Sequence, residues 1–67
     1  MYYIVRTTSD GYRIRTRHSR PIDTLMCFVS EDTKEVEEHL TGDCGVNIDQ
    51  CDRAIAHAQI TEGWVDV

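Results

Sequence analysis

A chain of 67 residues has room for one hydrophobic core, and 40% apolar with 28% charged residues is the balance of a compact globular domain. Its net charge of -5 arises from 12 carboxylates against seven basic side chains. Length excludes most enzymes of familiar size, and the acidic balance argues against a phosphate binder driven by overall charge.

That charge is divided along the chain. Residues 1–20 carry five arginines against Asp10, a net +4, whereas residues 21–67 carry Lys34 and Arg53 against 11 acids, a net -9. Such asymmetry points to partners selected by electrostatics. No apolar run approaches the roughly 18 residues needed to cross a bilayer, so no membrane association is expected. The start MYYIVRTTSD lacks the basic-then-apolar layout of a secretory signal, which predicts an intracellular, cytoplasmic protein. In that setting the odd set Cys27, Cys44 and Cys51 reads as free thiols, with Cys27 and Cys51 buried as small apolar groups.

In chain order, Tyr2 to Thr7 and Tyr12 to His18 are rich in β-branched and aromatic residues. Thr8-Ser9-Asp10-Gly11 between them favours a tight turn, so a β-hairpin is predicted. Alternation puts Tyr12, Ile14 and Thr16 on one face and Arg13, Arg15 and Arg17 on the other. A two- or four-residue loop adds Tyr3, Val5 and Thr7 to the first set, and a three-residue loop reverses that pairing. Pro21 breaks the second strand, and Thr24 to Val29 fits a buried third strand or a helical turn.

Ser30-Glu31-Asp32 opens a predicted helix, with Ser30 as its cap, Gly42 as its stop, and Val36 and Leu40, with Thr33 as a possible extension, as its apolar seam. Asn47 opens a second helix, in which Asn47 and Gln50 satisfy each other's amides and Val46 touches Cys51. Ile48, Cys51, Ile55 and Ala58 recur at helical spacing with Ala54 beside them, which predicts a buried face running to about Gln59. The tail alternates again, and Trp64 needs a partner surface, so a last strand is expected. The order β-β-β-α-α-β describes an α+β domain: a small antiparallel sheet with two short helices on one face, residues 1–67 forming a single unit.

Candidate chemistry centres on charge. Arg13, Arg15 and Arg17 place guanidinium groups about 7 Å apart along one strand face, a spacing that suits phosphates or a line of carboxylates. Glu31, Asp32, Glu35, Glu38, Asp49 and Asp52 form, with their acidic neighbours, a field suited to a basic groove. His39, Cys44, Cys51 and His57 lack the close cysteine pair of a structural zinc site, and the acids around Asn47 do not match a calcium loop, so no metal or cofactor is expected. No nucleophile elbow, phosphate loop or carboxylate cleft marks an enzyme.

These features predict a small acidic, non-enzymatic protein-binding module, a stoichiometric inhibitor or modulator of a larger nucleic-acid-handling protein. Its expected partner-binding residues are Glu31, Asp32, Glu35, Glu38, Asp49, Asp52, Arg13, Arg15 and Arg17. In size and charge the chain is similar to the tiny acidic α+β proteins of phages and other mobile elements, anti-CRISPR inhibitors among them; no binding residue carries over from that likeness. The alternative is a nucleic-acid-binding module using the arginine-rich hairpin, with Tyr2, Tyr3 and Tyr12 as stacking surfaces. A third reading is homodimerisation through an uncovered strand edge.

Overall fold

The computed structural model describes residues 1–22 and 27–67. Strands β1 (Tyr2–Thr8), β2 (Gly11–Arg17) and β3 (Cys27–Ser30) are followed by helix α1 (Thr33–Glu38), a π-helical turn (His39–Asp43), helix α2 (Ile48–Ile60) and strand β4 (Val65–Asp66). The sheet is antiparallel with order β3-β1-β2-β4. The α+β architecture and element order are those predicted from the sequence. The first part of the expected third strand, residues 24–26, lies outside the described residues, and the strand runs one residue further than expected, to Ser30.

The hairpin register follows from its turn. Thr8 pairs with Gly11, so Ser9 and Asp10 form a two-residue loop, and Gly11, with φ of 151°, opens β2 in a conformation few other residues adopt. Asp10-Gly11 therefore straddles the loop end instead of filling the two central positions. Val5 stands opposite Ile14 and Tyr3 opposite Thr16, so the apolar sides of both strands coincide. Against that side pack Val36, Leu40, Cys51, Ala54, Ile55, Ala58 and Val65, forming one buried cluster with Tyr3, Val5 and Ile14. At about 25 cal/mol per Å², such burial is the main term opposing chain entropy in a domain this small.

Helix α1 starts later than Ser30. Its cap is Asp32, whose carboxylate accepts from the Lys34 amide at 2.9 Å. Ser30 is the last residue of β3, where it accepts from the Asp32 amide at 3.0 Å and donates to Glu35 Oε2 at 2.7 Å. The hydroxyl thus stands between the two members of a capping box and joins strand to helix. Thr33 is exposed and adds nothing to the apolar seam of Val36 and Leu40. Gly42 does not stop the helical path; it sits inside the π-helical turn, and the left-handed residue that ends the segment is Gly45, with φ of 71°.

Asn47 caps α2 as expected, accepting from the Asp49 amide at 2.9 Å, whereas Gln50 makes no reciprocal bond among the described residues. Cys51, Ala54, Ile55 and Ala58 are buried, and Val46 packs on their cluster. Two burial expectations fail. Ile48, the first residue of α2, is 44% exposed, and Cys27 is only half-buried, because its register partner is Arg6 and it therefore faces away from the helices.

Candidate functional site

Among the described residues the helices cover one side of the sheet, and no helix or strand packs on the other, the open side. Alternation assigns Tyr2, Ile4 and Arg6 of β1, Arg13, Arg15 and Arg17 of β2, and Val29 of β3 to the open side, with Arg6 opposite Arg13, Ile4 opposite Arg15, and Tyr2 opposite Arg17. The arginine row expected of β2 lies on this one face. Arg6, read in the sequence only as part of the charge count, extends the row across the hairpin. The two-residue loop was the signal that could have placed it there.

Trp64 completes the face. Val65 pairs with Ile14 and Asp66 with Arg13, so the chain entering β4 brings the indole alongside Arg15. The guanidinium carbon of Arg15 lies 5.6 Å from the ring centroid and that of Arg6 lies 6.0 Å away, both within cation–π range. Ile4 is only 5% exposed although it faces away from the helices. The open side therefore has an apolar centre bordered by cations.

Its electrostatics are partly compensated. Arg13 Nε donates to Asp66 Oδ1 at 3.0 Å, an exposed pair worth about 0–1 kcal/mol. Among the described residues Arg6, Arg15 and Arg17 make no ion pair, and the buried Nε of Arg15 has no hydrogen-bond partner. A guanidinium has five donors in a fixed fork and keeps its charge, so the terminal N–H groups of these arginines can donate to a carboxylate or phosphate from outside.

The acidic candidates do not form one comparable surface. Asp32 is occupied as the α1 cap and Glu35 by Ser30. Glu35 and Glu38 line an open depression with Phe28, His39 and Asp43. On another side of α1, Glu37 meets Asp52 of α2; their hydrogen bond, then the Asp52 charge, raises the Glu37 pKa above the ordinary carboxyl range. Asp49 lies in the first turn of α2, and Glu31 precedes α1 on the chain, both exposed. Each carboxylate belongs to a local arrangement, but the layer as a whole is negative and lies across the sheet from the open arginine face.

Among the described residues no three side chains converge as metal ligands, and no helix is long and apolar enough to cross a membrane. Comparison of the chain with protein-family models, curated proteins and solved structures gave no match.

Proposed function

We propose that the chain is a small non-enzymatic binding module that acts stoichiometrically on a larger nucleic-acid-handling protein, docking through the open sheet face around Trp64 and Arg15. The observation that supports this reading is the joining of an indole and three arginines without ion pairs among the described residues on the sheet face turned away from the helices. Tryptophan, tyrosine and arginine dominate the energetics of protein interfaces because they combine large apolar area with directed polar bonds. A face of this kind suits an acidic patch with an apolar centre. Metal-dependent nucleases and polymerases carry carboxylate clusters of that sort, and the acidic helix layer on the far side would repel their nucleic acid.

Affinity capture from cell lysate, with and without nuclease, tests this reading. Nuclease-resistant capture of one protein in near-equal amount is expected, lost in Arg15→Glu and in Trp64→Ala and retained in Glu35→Lys/Glu38→Lys. Equal capture by Arg15→Glu would remove the sheet face as the epitope.

A second reading, direct binding of single-stranded nucleic acid, is favoured by an indole with two guanidinium groups within 6.0 Å of its centroid, since aromatic rings stack bases and arginines hold phosphates. Against it stand the net charge of -5 and Asp66 beside Arg13. Fluorescence anisotropy with a labelled oligonucleotide at low salt distinguishes the two. Binding abolished by Arg13→Ala/Arg15→Ala/Arg17→Ala would favour the nucleic acid, whereas no binding leaves the protein partner.

A further inference from the structure

Away from the open face, the π-helical turn assembles a second group of reactive side chains. Its closing bond runs from the Cys44 amide to the His39 carbonyl, five residues apart, at 3.1 Å. In an α-helix residues five apart point about 140° from one another, because each residue turns about 100°. The wider π turn stacks them instead, and such turns recur at functional sites. Cys44 Sγ consequently lies 3.6 Å from His39 Nε2, while Asp43 Oδ2 lies 3.1 Å from His39 Nδ1.

The hydrogen-bond inventory assigns the proton. An ionised aspartate only accepts, so Nδ1 carries hydrogen and donates to Asp43, which leaves Nε2 of the neutral ring free to accept from the thiol. Phe28 stacks on the imidazole with centroids 4.1 Å apart and planes within 6°, fixing its orientation. Because Asp43 and Cys44 engage opposite nitrogens, they cannot share one metal ion; the order thiol, imidazole, carboxylate is that of a general-base-activated nucleophile.

We propose that Cys44 is a modification site, a thiol activated by His39 and steered by Asp43, that exchanges with low-molecular-weight disulfides of neutral or positive charge. The Sγ proton passes to His39 Nε2, and the thiolate attacks one sulfur of the disulfide. A new S–S bond forms as the old one breaks. Cys44 is oxidised to a mixed disulfide, the reagent is reduced, and its departing thiolate recovers the proton from His39. Charge selection comes from Glu35, Glu38 and Asp43, which line the depression beside His39 and disfavour an anionic reagent. Tyr12 of β2 neighbours Cys44, whose hydrogen bonding and charge raise the phenol pKa. Cys51 provides the internal contrast: it is fully buried, and burial pushes its thiol pKa up.

The test treats the full chain with cystamine, and separately with glutathione disulfide, and follows capping of each cysteine by peptide mass spectrometry. Cys44 should be capped first, at least about tenfold faster than Cys27, with cystamine faster than glutathione disulfide. His39→Gln should slow capping about tenfold or more, given the usual effect of removing a general base. Since His39 also packs on Phe28, exposed Asp43 supplies the independent variants: Asp43→Asn should slow capping, and Asp43→Glu should keep more of the rate. Cys44 reacting no faster than Cys27, or equal rates in wild type, Asp43→Asn and His39→Gln, would overturn the proposal.

Discussion

Arg15 and Trp64 hold each other on the open face: the guanidinium carbon lies 5.6 Å from the ring centroid, and Arg15 Nε is buried without a hydrogen-bond partner among the described residues. A cation–π contact contributes about 0.5–2 kcal/mol, while an orphaned buried donor costs about 1–3 kcal/mol. The two nearly cancel. The contact thus orders the face at little net gain.

Replacing Trp64 tests the structural half of this relationship. The indole is half-buried and ties β4 to the hairpin. Trp64→Ala should cost about 1–3 kcal/mol, below the range for a fully buried aromatic. Urea denaturation followed by circular dichroism gives the value without relying on the lost fluorophore, and a change under about 0.5 kcal/mol would mean that the ring packs on nothing that matters to folding.

Ser30 makes a second prediction. Its hydroxyl accepts from the Asp32 amide and donates to Glu35 at the junction of β3 and α1, and the residue is 8% exposed. Ser30→Ala removes the acceptor of the Asp32 amide and the donor to Glu35 and loosens the helix start, for an expected loss of about 1–2 kcal/mol. Hydrogen exchange at the first amides of α1 should accelerate in the variant, localising the effect.

The Glu37–Asp52 contact predicts a pH dependence. The Glu37 pKa is raised by its hydrogen bond to Asp52 and by that neighbour's charge, so the folded state holds this proton more tightly than the unfolded chain. The stabilisation is fully present below the unfolded glutamate pKa of about 4.3 and is lost as pH rises through the raised folded value. Glu37→Gln keeps a hydrogen-bond donor toward Asp52 and removes the repulsion. Its urea midpoint at neutral pH should exceed that of the wild type, and its stability should vary less with pH just above the unfolded value. A midpoint equal to or below wild type would show that the pair does not repel.

Two isoleucines of α2 separate helix periodicity from burial. Ile55 is 6% exposed and Ile48 is 44% exposed. Ile55→Ala should cost about 2–5 kcal/mol, and Ile48→Ser should leave stability within about 0.5 kcal/mol. Equal effects in paired chemical denaturation curves would contradict the placement of Ile48 outside the core.

By itself the sequence determined what local chemistry controls. Alternating side chains placed Arg13, Arg15 and Arg17 opposite Ile14, the spacing of Cys51, Ile55 and Ala58 marked the buried face of α2, and Asn47 marked its start. These depend on strand and helix periods and on one capping bond, all set by residues within a few positions of each other. Only the tertiary structure decided that Trp64 would meet Arg6 and Arg15, 58 and 49 positions away in the chain, since strand order follows from packing the whole sheet beneath two helices. It also decided the union of His39, Asp43 and Cys44. Helical periodicity assumes about 3.6 residues per turn, and on that assumption His39 and Cys44 never share a face; a wider turn packed against β3 through the Phe28–His39 stack puts them together.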